Sequence, residues 1–457
     1  MDAQSTTAAP RGQARLLMQT LQTFLSMFGV LAINVFSAII LSRGLTPDDR
    51  GVYLGTTMWS GFVVGMCDIG IYMATIYLWG KCTDSQRKKD VFATMLGWAL
   101  GTGVICVGIV AVLADYMIKG HLSEQERIMA YVYFASSFGG PVISMLSGVL
   151  AAEQRFSLIN LVRIGVPAVL TSLWLAYFLT GALSVSLCLL TSSVIATAGM
   201  VPFLWQARAY LRSLGRFRWD IFKDGAWYGL RGYGGSVINV LGGSGAQIML
   251  FALTPASLAF FQTATSATGV LWAIPKAIGI TSFPDMVKEQ PHLLHAKLCR
   301  FFRLAALATA CSALLLGLAE PIVIPFFFGA AYTAAVLPAL ILLPNALFGG
   351  LSDLLGDALS STGRTLHNTV ATGAYTGATL GSMLFTLDAW GIAGAALSTL
   401  IGFMMSFLVR FVWYQVAIER IRLRDIVPGP ADLQEITSLG LGIWRKVSVK
   451  WRGKLSV

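Results

Sequence analysis

Apolar runs of about twenty residues recur along the whole chain, and nothing else in the sequence narrows the possible folds so far. An α-helix rises 1.5 Å per residue, so about 20 apolar residues cross the ~30 Å hydrocarbon core of a bilayer. Such runs fall at 17–42, 51–79, 91–114, 128–150, 156–180, 183–206, 226–252, 256–281, 299–327, 334–361, 366–387 and 391–416. The composition agrees: 56% of the 457 residues are hydrophobic and 12% are charged, against about 25% charged in soluble domains. The sequence predicts an all-α polytopic membrane protein with twelve spans. Met1–Gln13 is polar and lacks a short apolar core with a cleavage site, so no cleaved signal peptide is expected. The six cysteines are scattered, mostly within apolar runs and without a CxxC pair, and read as small packing residues.

The net charge of +11 raises the question of a nucleic-acid partner, and the positions of the charges answer it. The connections after odd-numbered spans hold only Arg43, Arg50, Lys119 and Arg127. The connection after span two holds Lys81, Arg87, Lys88 and Lys89; the one after span six holds Arg208, Arg212, Arg216, Arg218 and Lys223. Lysine and arginine collect on the cytoplasmic side of membrane proteins. The pattern therefore predicts cytoplasmic termini and contact with anionic membrane lipids, with no nucleic-acid partner.

The chain is also written twice. Leu45-Thr46-Pro47 returns 208 residues later as Leu253-Thr254-Pro255, and at the same offset Thr57, Ser60 and Gly61 meet Thr265, Thr268 and Gly269. Asp68 in the first copy falls where Lys276 stands in the second. Six helices per copy is an even number, so both copies enter the membrane from the same side. Two six-helix lobes related by a pseudo-twofold axis along the membrane normal are expected, with the substrate path between them. The domains read as an N-terminal lobe (1–206), a cytoplasmic connection (207–225), a C-terminal lobe (226–416) and a basic cytoplasmic tail (417–457). Trp444 and Trp451 among basic residues give that tail an interfacial character.

Several short stretches then carry a resemblance. Leu41-Ser42-Arg43-Gly44-Leu45-Thr46-Pro47 with Gly51-Val52-Tyr53 follows span one, Asp68-Ile69-Gly70 lies in span two, and Phe283-Pro284 follows span eight. Phe328-Gly329-Ala330-Ala331-Tyr332 follows span nine, Gly363-Arg364 follows span ten, and Gly391-Ile392-Ala393-Gly394-Ala395-Ala396 opens span twelve. In order and spacing they resemble the multidrug/oligosaccharidyl-lipid/polysaccharide exporter superfamily, in particular its O-antigen-type polysaccharide-unit flippases. The resemblance implies transport of a polyprenyl-pyrophosphate-linked oligosaccharide across the bacterial inner membrane, with other polysaccharide-assembly proteins as candidate partners. Many relatives carry Asp in span seven where this chain has Gln247, so no acidic role is carried over there. Twelve spans also argue against the peptidoglycan-precursor branch, which usually has fourteen.

An ionisable side chain at membrane depth is costly and normally faces protein or water. Asp68 and Lys276 are placed in the inner half of the membrane, each facing a cavity or else capping a kink and snorkelling to the interface. Arg163, Arg231 and Arg43 are the further candidates for an anionic pyrophosphate, because guanidinium supplies fork-shaped donors. Their plain alternatives are interfacial or helix-end charges. Asp353 and Asp357, four residues apart on one helix face, repel unless a partner or a proton intervenes. They are coupling candidates, with an ion pair to Arg163 or Arg364 as the rival reading. The glycine-dense span seven is expected either to pack closely or to bend. His292 and His295 lack the spacing of a zinc site, and no nucleotide loop or catalytic triad is present, so neither cofactor, metal nor enzyme activity is expected. A flippase is the favoured reading. The rivals are an Na⁺- or H⁺-coupled small-molecule exporter and a membrane glycosyltransferase or polymerase; the short outer connections speak against the last.

Overall fold

The computed structural model describes residues 9–82, 84–117, 122–279, 291–362, 366–422 and 429. Among them all regular structure is helical. The first span lies in Ala9–Gly44, and the second is broken into Pro47–Cys67 and Ile71–Gly80, bent by 40°. Ser85–Met117 is the third. The fourth is split into Glu124–Ser136 and Gly139–Ala152, the fifth is Phe156–Leu179, and the sixth is split into Val185–Ala198 and Val201–Arg212. Trp219–Leu253 is the seventh. The eighth runs from Pro255–Thr268 through a 3-10 turn, Gly269–Trp272, into helix over 273–279. Pro291–Phe328 and Val336–Ser361 are the ninth and tenth.

Leu366–Ala417 is 52 residues long, about 78 Å as helix and so more than two bilayer cores. Gly391, at φ 54° and ψ −128°, breaks it into the eleventh and twelfth spans. Among the described residues nine helices are long and apolar enough to cross, ten when the bent second span is counted as one. The break at Gly391 and the interrupted eighth helix bring the number to twelve, six before and six after the short connection between Arg212 and Trp219, which is narrower than the expected 207–225. The fold is the expected all-α polytopic one. Phe283-Pro284, Gly363-Arg364, Lys119 and nearly all of the basic tail lie outside the described residues.

The repeated Thr-Pro stretches fold alike. Thr46 caps the second span, its hydroxyl accepting from the Asp49 amide at 3.2 Å, with Pro47 in the first turn. Thr254 does the same for the Ser257 amide at 3.1 Å, followed by Pro255. Both use a cap side chain for an otherwise orphaned donor and proline where no donor is needed.

Contacts divide the chain into two compact units, Met1–Ser266 with Pro325–Tyr332, and Ala267–Ile324 with Thr333–Val457. In the first, Trp79, Phe92, Met95, Met145 and Phe203 build one buried cluster, and Tyr53, Phe134, Trp174 and Leu189 another. In the second, Leu298, Phe302, Leu354, Leu355 and Tyr414 form the largest cluster among the described residues. Span seven belongs to the first unit and differs from the bend its glycines allow: it is one unbroken helix. Gly229 instead lets a neighbour close in, since a Cβ there would lie 2.5 Å from the Ile69 carbonyl oxygen. The bend is in span two, where Ile69 (φ 39°) and Gly70 (φ 70°) turn left-handed beside Asp68.

The two Thr-Pro turns also meet within the first unit. A Cβ on Gly51 would lie 1.9 Å from the Pro255 carbonyl oxygen. Gly51→Ala is expected to destabilise the purified protein by about 1–3 kcal/mol through overpacking. Thermal unfolding in detergent checks this, and an unchanged transition would contradict the close approach.

Candidate functional site

Span eight loses its regular helix at Gly269–Trp272, and Pro275 follows one turn later. Span ten answers this irregular segment with glycines. A Cβ on Gly349 would lie 2.1 Å from the Trp272 ring, and one on Gly350 would lie 2.3 Å from Pro275. The glycines thus let an aromatic ring and a proline sink against a helix backbone. This sets Lys276, one turn beyond Trp272, on the wall of a cavity of about 580 Å³ inside the second unit. Asp353 and Asp357 from span ten, Asn368 from span eleven and Arg410 from span twelve line the rest of its polar wall.

Three residues singled out from sequence therefore come together here: Lys276, Asp353 and Asp357. Arg410 separates the roles of the two acids. Its Nη1 donates to Asp353 Oδ1 and to Ser352 Oγ, each at 2.9 Å. The Arg410 side chain is 12% exposed and that of Asp353 66%, so the ion pair reaches from the packed helices to the cavity. Asp353 is thus paired with Arg410 and not with Arg163; Arg364 lies outside the described residues. Asp357 lies against Gly279, whose Cβ would be 3.3 Å from Asp357 Oδ2. Lys276 is exposed to the cavity and has no ion pair within 4.0 Å among the described residues.

Asn368 has a fixed orientation. Its Nδ2 donates to the Gly356 carbonyl at 3.2 Å and to Ser360 Oγ at 2.8 Å, leaving Oδ1 buried without a hydrogen-bond partner. Arg410 Nε is likewise buried without one.

The other candidates lie in the first unit. Asp68 caps the first half of the broken second span; its Oδ1 is buried without a partner, and Ser144 interacts with its carboxyl. Arg163 is exposed on span five. Arg231 is exposed and stacks on Trp227, its guanidinium carbon 4.4 Å from the ring centre. Arg43 donates from Nε to the Phe327 carbonyl at 2.8 Å and also to the Phe326 carbonyl. It caps the end of span nine, as basic side chains do at helix C-termini. No group of three or more His, Cys, Asp or Glu among the described residues is placed to hold a metal ion.

The structure also reveals residues that the sequence reading passed over. Arg50 is 1% exposed, bonded to Thr263 and lying 5.3 Å from the centre of the Tyr332 ring. It sits four residues from Thr46 at a helix start, where a basic residue reads as solvated. Glu320 in span nine is 0% exposed, with both carboxyl oxygens lacking a hydrogen-bond partner. A lone acid in an apolar run was its only signal. Arg410 lies seven residues from the end of its span and reads from sequence as a cytoplasmic end charge.

Since Arg410 is largely buried and bonds two partners, Arg410→Ala is expected to cost about 1–3 kcal/mol, and Asp353→Ala under about 1 kcal/mol because that carboxylate is solvated. Thermal unfolding of the two variants decides this. Equal losses would contradict the assignment of the buried half of the pair to Arg410.

The sequence profile of a family described as polysaccharide biosynthesis proteins matches residues 40–337, well over half of the chain. No curated protein sequence matches at a significant level. Among solved structures, the chain is similar to the lipid II flippase MurJ in an inward closed conformation (TM-score 0.73, 12% identity, 90% of this chain and 89% of that one). It is also similar to an inward-facing multidrug resistance MATE family transporter of the MOP superfamily (TM-score 0.66, 16% identity, 85% and 94%). A third is a MOP superfamily transporter from Pyrococcus furiosus (TM-score 0.55, 14% identity, 88% and 95%). At these identities the likeness is one of fold. The chain is a multi-pass membrane protein with the fold of MOP superfamily transporters, and it belongs to the polysaccharide biosynthesis protein family.

Proposed function

We propose that the protein is a flippase that carries a polyprenyl-pyrophosphate-linked oligosaccharide from the cytoplasmic to the outer leaflet of a bacterial inner membrane. It works by alternating access, with both termini in the cytoplasm and the lobes 1–206 and 226–416 joined by the connection at 207–225. The observation that carries this reading is the cavity around Lys276. Its two acids and two bases are not equivalent, because Arg410 already holds Asp353 at 2.9 Å. The ammonium of Lys276 is left facing the cavity, and an anionic pyrophosphate is the natural complement for it. The family profile supports a role in polysaccharide synthesis, and the fold supports transport.

Each remaining candidate has a role in this reading. Asp357 is the coupling residue, since Asp353 is engaged by Arg410. Asp68 marks the matching position in the first repeat, at the break of span two. Arg163 assists the head group from the first lobe and Arg231 from the first span of the second, and Arg43 tightens the outer end through the span-nine carbonyls. A cationic drug would favour an acidic cavity. The pairing of Asp353 with Arg410 weakens that alternative.

The test is restoration of surface polysaccharide in a strain lacking the gene, with variants compared at matched membrane abundance. The parent should restore it and clear the lipid-linked intermediate; Lys276→Ala should abolish restoration, and Lys276→Arg should keep part of it. Asp357→Asn should lose dependence on the proton gradient while remaining folded. Full restoration by Lys276→Ala would remove the cavity from the transport path.

A further inference from the structure

Arg50 ranks among the largest side chains buried completely, and it takes a charge inside with it. No carboxylate lies within 4.0 Å of it among the described residues. Its Nη1 donates to Thr263, its guanidinium carbon lies 5.3 Å from the centre of the Tyr332 ring, and its Nε is buried without a hydrogen-bond partner. Phe260 meets the same ring edge to face, 5.7 Å between centres.

Every one of these partners comes from the second copy of the repeat. Thr263 and Phe260 belong to span eight, and Tyr332 to the turn after span nine. Two further contacts cross the same seam: a Cβ on Gly51 would meet the Pro255 carbonyl, and Arg43 donates to the carbonyls of Phe326 and Phe327. The connections after spans one, seven and nine thus gather at one end of the first unit. In the flippase reading that end is the outer one, and a glycan leaves only when the seam parts.

A guanidinium taken from water into a buried site loses its hydration, and no anion stands beside this one to replace it. A hydrogen bond to a hydroxyl and a cation–π contact offset part of that loss, and the unpaired Nε offsets none. The packing does not need the charge. At the equivalent position of the second copy stands Leu258, 1% exposed, so an apolar side chain fills the same place after the same Thr-Pro cap. Arg50 therefore works against the closed seam, while the Gly51–Pro255 contact and the Arg43 hydrogen bonds hold it. Parting the seam returns water to the guanidinium.

We infer that Arg50 is the opening element of the outer seam: its buried, unpaired charge keeps the closed arrangement shallow enough to part in each transport cycle. The inference rests on the alternating-access reading and adds to it the residue that sets how readily the outer side opens. A latch at this position would act in the opposite direction, since its loss would open the seam. Buried ionic groups replaced by apolar side chains of similar size often gain stability instead.

Hydrogen exchange of the purified full-length protein in nanodiscs, without substrate and read by mass spectrometry, separates the two directions. It compares the parent with Arg50→Met, which is long and uncharged, and Arg50→Lys, which keeps the charge. Arg50→Met should slow exchange of the amides in 46–53 and 255–263 about tenfold or more, because those amides exchange through opening of the seam. Arg50→Lys should stay within about threefold of the parent. In a flipping assay Arg50→Met should be the slower of the two variants. Unchanged seam exchange in Arg50→Met overturns the inference. Faster exchange, at the seam or throughout the chain, overturns it as well, because the charge then stabilises the closed end. A seam that tightens while flipping stays at the parent rate overturns the role in transport. The exchange measurement contains no substrate, so its failure leaves the flippase reading standing; that reading falls if the parent itself does not flip.

Discussion

Inside the hydrocarbon core no water can bond a free amide or carbonyl, so a membrane helix breaks only where protein covers the break. This protein breaks its helices at a few places and covers them with glycine. The left-handed turn at Ile69 and Gly70 lies against Gly229 of span seven, whose carbonyl oxygen comes within 2.8 Å of a Cβ position on Gly70. The 3-10 turn at Gly269–Trp272 is received by Gly349 and Gly350 of span ten. In both places the glycine lets main chain or ring approach closer than any side chain would permit. Each break also carries an ionisable residue beside it, Asp68 in one and Lys276 in the other. Irregular backbone and an ionisable side chain thus lie side by side in both places, the half-buried Asp68 in one and the cavity-facing Lys276 in the other.

The internal repeat puts Asp68 and Lys276 at equivalent positions, although the break follows the acid in the first copy and precedes the base in the second. Thr46-Pro47 and Thr254-Pro255 start equivalent helices with equivalent caps, and Gly51 touches Pro255 where the turns meet. From there the copies diverge in charge. The first places Arg50 in the core against Thr263 and Tyr332, and the position 208 residues later is Leu258. At the equivalent position the first copy has an acid, Asp68, and the second a base, Lys276.

Much of this was legible in the sequence for physical reasons. Long apolar runs report spans because a bilayer core has a fixed thickness, and the Thr-Pro caps are local chemistry. Asp353 and Asp357 were assigned to one face by helical spacing, and Lys276 stood out as an isolated charge; the structure puts all three on one cavity wall. The breaks were less legible. In a nearly uniform apolar run, hydropathy does not distinguish a glycine that bends a helix from one that admits a neighbour, so both readings stood open for span seven; its Gly229 admits a neighbour, and the bend falls in span two. Pairings between distant residues were not legible at all. Arg410 finds Asp353 across 57 positions, and the orphaned oxygen of Asn368 follows only from where its nitrogen is spent.

The central claim is that the protein moves a lipid-linked glycan between leaflets, and reconstitution tests it most directly. Liposomes containing the purified protein and a polyprenyl-diphosphate-linked oligosaccharide with a fluorescent label on its glycan are exposed to a membrane-impermeant quencher. Label is placed initially in one leaflet. The account predicts that label becomes exposed in the other leaflet over time in liposomes with the parent protein, and at the protein-free rate with Lys276→Ala. Equal rates in protein-containing and protein-free liposomes, with the protein folded and oriented, would contradict it.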